Sequence, residues 1–246
     1  MKEVRPMTEL QKDGICLPDG LADIILICGH YGCGKTNLAL NLAAQCVKAG
    51  EKVTVVDMDI VNPYFRASDY GPLLESMGVE LIAPGFAHSN VDLPSITTEM
   101  YSIFTRTGRI IIDVGGDDAG ATALGRFSRR LKERPYTMLY VVNKYRSQSQ
   151  SAEETVELLR EIEMASHLEA CAIVSNSHLM QYTTAQTVID SFEYADEVCR
   201  LTGLPLAVTA AERRILPDLA DCGRKIWPVD VLVTKPWETN GVQGDC

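Results

Sequence analysis

The chain has 246 residues, enough for one large α/β domain with a full core and too few for two comfortable ones. Its 23 basic and 33 acidic residues give a formal charge of −10, which argues against binding nucleic acid or an anionic membrane through net charge. No apolar run approaches the roughly 20 residues that span a bilayer.

The first residues, with Lys2, Glu3 and Arg5, lack the apolar segment of a secretory signal. Eight cysteines (16, 28, 33, 46, 171, 199, 222 and 246) include no C-x-x-C pair and no zinc spacing, so a reduced, cytoplasmic protein is expected. Residues 1–21 mix charges with Pro6, Gly14 and Pro18 and read as a loose leader. A single domain is expected over 22–234, followed by a polar tail at 235–246.

Ile24 to Cys28 is a short apolar run suited to a buried parallel strand. Gly29-His30-Tyr31-Gly32-Cys33-Gly34-Lys35-Thr36 follows and fits the phosphate-loop pattern G-x-x-x-x-G-K-[ST]. From Asn37 to Val47 apolar residues recur at helical spacing, and Gly50 stops the helix. A glycine-rich turn between strand and helix gathers backbone N–H groups and the positive end of the helix dipole at one point. Triphosphate is the expected occupant, with Lys35 reaching the β and γ phosphates and the Thr36 hydroxyl on Mg²⁺.

Lys52 to Asp57 predicts a second buried strand, ending in Asp57-Met58-Asp59 before a loop at Pro63. A short helix is expected over 67–77, a strand over 79–83 and a proline-opened helix over 94–105. Arg109 to Asp113 predicts a third buried strand, and residues 120–131 a helix. Further strands are expected at 136–142, 171–175, 206–209 and 229–233, with helices at 151–164, 183–201 and 211–220. Strands alternating with helices predict a doubly wound, mostly parallel sheet of about seven strands covered on both faces.

In such a sheet ligands bind beyond the carboxyl ends of the strands. The acidic and amide residues Asp57, Asp59, Asp113, Asn143 and Asn176 all fall at such ends. Asp113 is suited to hold Mg²⁺, and Gly116 can approach the γ phosphate without a Cβ in the way. Asp57 is read either as a further Mg²⁺ ligand or as a strand-end carboxylate paired with Lys35 or a nearby N–H. Cys33, inside the loop, is read either as lying in an electropositive field that favours its thiolate or as merely a small residue between glycines.

Taken together, Gly29–Thr36, Val-Val-Asp-Met-Asp at 55–59, Asp-Val-Gly-Gly-Asp at 113–117 and Asn176 resemble the MinD/ParA superfamily of P-loop ATPases (SIMIBI class). The nitrogenase iron protein and the metal-insertion ATPases are relatives within it. The resemblance runs from about Ile24 to Val233. It implies Mg²⁺ and ATP as ligands, with Gly29 to Thr36, Asn37, Gly116 and Asn176 on the nucleotide and Thr36, Asp57 and Asp113 on the metal side. It also implies catalytic roles for Lys35, for Asp59 in positioning the attacking water, and for Asp117 of the second switch.

Two departures bear on function. His30 stands at or beside the family's signature lysine, which in relatives reaches a dimer partner's phosphates; histidine is shorter and mostly neutral at pH 7. Arg66 is one candidate replacement, a surface ion pair being its other reading. Asn143-Lys144-Tyr145-Arg146 begins like the guanine-reading Asn-Lys-x-Asp, but an arginine cannot accept from guanine N–H groups, so ATP is expected over GTP. A protein partner and an ATP-dependent homodimer are what the resemblance implies, with no membrane anchor and no nucleic acid. A small-molecule kinase or ligase, with a substrate pocket from Gly85 to Asp92 and Tyr145 to Ser149, and a nucleotide-binding regulator with negligible turnover are the other readings.

Overall fold

A computed structural model describes residues 20–59, 67–83, 98–116, 118–147, 149 and 151–233. Its centre is β1 (Ile24–Cys28), an all-apolar run buried on both faces. Successive residues point to opposite sides: Ile24, Leu26 and Cys28 enter one core, Ile25 and Ile27 the other. Each fully buried isoleucine contributes roughly 1.5–3 kcal/mol of transfer free energy. The flanking β2 (Val53–Met58) and β4 (Arg109–Val114) are similarly sequestered.

The sheet has eight strands in the order β3-β2-β4-β1-β5-β6-β7-β8, every neighbouring pair parallel. The others are β3 (Glu80–Ile82), β5 (Tyr136–Val142), β6 (Ala172–Ser175), β7 (Leu206–Glu212) and β8 (Ile226–Val229). Helices α1 (Lys35–Lys48) and α2 (Gly71–Ser76) pack on one face. On the other lie α3 (Thr98–Ser102), α4 (Asp118–Gly125), α5 (Ser128–Leu131), α6 (Ala152–Ser166) and α8 (Phe192–Thr202). The short α7 (Ala185–Ile189) packs beside the turn at 213–219. The expected doubly wound fold is therefore present, with one strand more than the count of seven.

The order in which strands are added reverses at β1: β2 to β4 lie on one side of it and β5 to β8 on the other. Such a switch point opens a crevice at the carboxyl ends of the strands. Register sharpens it, because Asp57 of β2 pairs with Asp113 of β4, which in turn pairs with Ile27 of β1. Two strand-end carboxylates and the phosphate loop thus share one rim of the sheet.

Several element boundaries differ from expectation. The helix expected over 120–131 breaks at Arg126 and Phe127, because Phe127 drops into the core beside Tyr101 and Phe104. The Ser128 hydroxyl then donates to Gly125 O at 2.7 Å. The helix expected over 183–201 is two, α7 and α8, separated where buried Ser191 turns its hydroxyl back onto Val188 O at 2.7 Å. Strand β7 continues through Glu212, and the following turn is a 3-10 helix containing Pro217.

The last strand lies at 226–229 rather than 229–233. It includes Pro228, tolerated because β8 is an edge strand. The capping box that opens α6 is as expected, Ser151 and Glu154 satisfying each other's backbone N–H. The sequence calls over 84–97, and nearly all of those over the leader and tail, lie outside the described residues.

Candidate nucleotide-binding site

The loop leaves β1 at Gly29 and enters α1 through Gly34, whose φ of +94° is left-handed backbone. A Cβ there would also sit 2.4 Å from the Asn176 amide nitrogen, so glycine is required twice over. No side chain caps α1, and no acidic residue lies in its first turn. The first N–H groups of the helix therefore keep their capacity for an anion. Lys35 is buried, and its ammonium donates to His30 O at 3.2 Å, inside the curve of the loop.

The metal corner lies at the first turn of α1. The Thr36 hydroxyl donates to Asp113 Oδ2 at 2.7 Å. Asp113 Oδ1 is buried with no hydrogen-bond partner. The Asp113 carboxyl is pushed up to about 7, first by burial and then by Asp57, against the lowering effect of Lys35 and the Thr36 hydrogen bond. An orphaned carboxylate oxygen beside a threonine hydroxyl fits Mg²⁺, which takes one or two protein oxygens and leaves other positions to water and phosphate. Among the described residues no cluster of three or more His, Cys, Asp or Glu forms a metal cage.

Asp57, the third residue read on the metal side, is fully buried and occupied otherwise. Its Oδ1 accepts from Asp59 N at 2.9 Å and its Oδ2 from Ser68 N at 2.8 Å. Of its two sequence readings, the strand-end carboxylate satisfied by nearby N–H groups describes these contacts.

The raised Asp113 pKa gives a pH prediction. Folding favours the neutral carboxyl, so this stabilisation is complete below the ordinary value of 3.8 and is lost as pH rises through about 7. Without nucleotide or metal, Asp113→Asn should therefore melt higher than the parent, by a margin that widens from about pH 5 to about pH 8. Thermal unfolding across that range measures it; a margin independent of pH would assign Asp113 an ordinary carboxylate.

The second switch closes on the loop from above. A Cβ on Gly116 would fall 2.7 Å from Lys35 Nζ and 2.7 Å from Tyr31 N, an approach only glycine permits. Asp59 is buried, and a Cβ on Gly115 would lie 3.2 Å from its Oδ1. Asp59 thus lies beside Gly115 and Lys35 beside Gly116, while Asp117 and Arg66 lie outside the described residues.

Three side chains make their contacts within the protein. The Asn37 amide donates to Asp230 O at 3.0 Å and accepts from Leu232 N and Val233 N at 2.8 and 3.2 Å. Cys33 is buried, and desolvation raises its thiol pKa despite the lowering effects of Lys35 and Arg146, so the thiolate is disfavoured. The Asn176 amide, read as a purine contact, donates to Cys33 O at 2.8 Å and braces the loop.

Sequence reasoning missed two features. Asn37, Asn41 and Gln45, four residues apart on α1, clasp the chain at 227–233. Asn41 exchanges hydrogen bonds with Asp230, and Gln45 bonds Pro228 O and the Trp227 indole. Their helical spacing was the available signal. The other feature is Arg146, whose guanidinium lies against Gly32 of the loop. It opens onto a cleft of about 850 Å³ lined by His30, Tyr31, Gly116, Asp118 and Glu161 among others. His178, whose ring lies 3.4 Å from where a Cβ on Gly34 would be, has its pKa pushed down to about 4 by burial and by Arg146.

Residues 24–180 match the family model described as CbiA, the CobQ/CobB/MinD/ParA nucleotide binding domain. The chain belongs to this family. The CobQ/CobB/MinD/ParA match spans the phosphate loop, both strand-end aspartates and Asn176, and it gives the chain a P-loop nucleotide-binding domain of the MinD/ParA type (SIMIBI class). A search among curated proteins finds no match.

Similar solved structures include the cell division protein FtsY of Thermotoga maritima, with TM-score 0.55, 17% identity and coverage of 80% of this chain and 64% of that one. The signal recognition particle 54 kDa protein of Aeropyrum pernix, solved with GDP, has TM-score 0.53 and 19% identity, covering 79% of this chain and 42% of that one. FtsY of Mycoplasma mycoides has TM-score 0.53 and 14% identity, covering 83% of this chain and 66% of that one. This chain thus spans less than two thirds of the length of the first two, and at these identities the likeness speaks for the fold. Among the described residues no helix is long and apolar enough to cross a membrane.

Proposed function

We propose that this member of the family is a Mg²⁺·ATP-dependent switch, a slow ATPase in the cytoplasm whose domain occupies 22–234. The observation that carries the reading is the Thr36–Asp113 pair with its spare buried oxygen, at the first turn of α1 where the loop ends. Gly29 to Thr36 hold the phosphates through their backbone and Lys35, Thr36 and Asp113 hold Mg²⁺, and Asp59 positions water. Gly116 reports the terminal phosphate together with Asp117. When bound, Mg²⁺ neutralises charge on the phosphates.

Hydrolysis relaxes the segments after β2 and β4, and a partner protein reads the difference. A metalloenzyme or redox enzyme under maturation is the partner class suggested by analogy with metal-insertion relatives. The homodimer that the family resemblance implies would form without the lysine that His30 replaces. Calorimetry with Mg²⁺·ATP, with and without EDTA, tests the binding; its absence in the folded protein would sink the reading.

ATP is favoured over GTP because Arg146 offers no acceptor to guanine, and Asn143 Oδ1 already accepts from Tyr145 N and His178 N at 3.0 and 3.3 Å. In competition binding ATP should displace a fluorescent nucleotide at lower concentration than GTP, and the reverse order would overturn the preference. A second reading, a small-molecule kinase or ligase, is favoured by the cleft beside Tyr31 and Gly116, which has room for a substrate. Turnover that appears only when cell metabolites are added would select it.

A further inference from the structure

Arg146 belongs to a turn that is held at several points. Asn143 O accepts from Arg146 N at 3.3 Å and from the Ser149 hydroxyl at 3.0 Å, while Arg146 O accepts from Ser149 N at 3.1 Å. The turn delivers the guanidinium onto the phosphate loop, where a Cβ on Gly32 would lie 3.3 Å from its central carbon and 3.4 Å from Nε. That Nε is buried without a hydrogen-bond partner. None of the ion pairs among the described residues involves Arg146.

A guanidinium with a buried, unsatisfied N–H and no ion pair among the described residues is an arrangement that a folded protein tolerates at a cost, and an anion relieves it; Asp118 and Glu161 line the same cleft. The cleft it faces is shared with Tyr31 and with Gly116, which lies against both the Tyr31 backbone and the Lys35 ammonium. His30, where the family carries its lysine, lines the same cleft without a fixed charge.

We propose that Arg146 is a second phosphate-directed cation supplied by the chain itself, contacting the terminal phosphate of a nucleoside triphosphate held at Gly29–Thr36. This rests on the nucleotide-binding reading above and adds a charge that needs no partner subunit. A diphosphate is held by the loop N–H groups and Lys35, whereas a triphosphate extends toward the cleft. Arg146 should therefore separate the two ligands. A guanidinium there also offers planar, two-pronged donation that a lysine does not reproduce.

The experiment titrates the full chain with Mg²⁺·ADP and with the non-hydrolysable Mg²⁺·AMP-PNP. Arg146→Ala should leave ADP affinity within about twofold and weaken AMP-PNP by about 10- to 100-fold, the scale of one charge-assisted hydrogen bond. Arg146→Lys should recover part of that loss. Arg146→Gln, which retains bulk over Gly32, gives the same readout should the alanine variant unfold. Equal weakening of both ligands would make Arg146 a structural prop of the loop and overturn the proposal. Unchanged AMP-PNP affinity would overturn it too, leaving the guanidinium to a carboxylate-bearing second substrate. A parent chain that binds neither ligand would bring down the nucleotide reading itself, an outcome visible before any variant is made.

Discussion

Lys35→Ala is expected to abolish Mg²⁺·ATP binding, weakening it by at least about 100-fold, while the chain remains folded. Each charge-assisted hydrogen bond to phosphate is worth roughly 1.5–3 kcal/mol, and Lys35 is positioned to make two. Its ammonium lies within the curve of the loop, donating to His30 O at 3.2 Å. Among the described residues no other fixed cation donates inside the curve of the loop; Arg146 lies against Gly32 instead. The fold should survive because the first-turn hydrogen bond from Leu38 N to Gly34 O and the Asn176 brace on Cys33 O do not involve the lysine. Calorimetry on a variant with parental circular dichroism decides it; undiminished affinity would remove the loop from the binding site.

Asp59→Ala should separate binding from turnover. Lys35, Thr36 and the loop N–H groups remain, so ATP affinity should change little. Hydrolysis should fall by about 10²-fold or more, the scale of a positioned acid–base group. Asp59 is well placed for this role: it is buried, its N–H is fixed by Asp57, and it lies beside Gly115 where the second switch begins. With ATP trapped, the variant should accumulate in the closed form. Light scattering after size separation then distinguishes a nucleotide-dependent dimer from a switch that works as a monomer. Parental turnover would take Asp59 out of the mechanism.

What could be read beforehand was whatever is local in sequence. The strand, glycine turn and helix of residues 24–48 carry their periodicity and turn chemistry within one window. The strand-end aspartates are legible because parallel strands read as apolar runs with a polar stop. Helix interruptions at Phe127 and Ser191 were hidden, since each follows from a packing or hydrogen-bond choice that periodicity does not encode. The state of the Cys33 thiol was hidden for a related reason. Two cations nearby were visible or inferable, but the burial that outweighs them is a property of the fold. Arg146 was read for the guanine contact it cannot make and within a substrate pocket at 145–149, not as a neighbour of the phosphate loop. Its place over Gly32 depends on β5 lying directly beside β1, a fact of topology.

The three amides of α1 have a consequence for what counts as the minimal unit. The matched segment stops at residue 180, yet Asn37, Asn41 and Gln45 reach partners at 227–233. A polypeptide trimmed to the recognisable segment would leave those amides without their acceptors and donors and uncover the face of the helix that Trp227 shields. The wall opposite the nucleotide is thus furnished by the far end of the chain. Whatever anchors or displaces that end pulls directly on the helix that begins at Lys35.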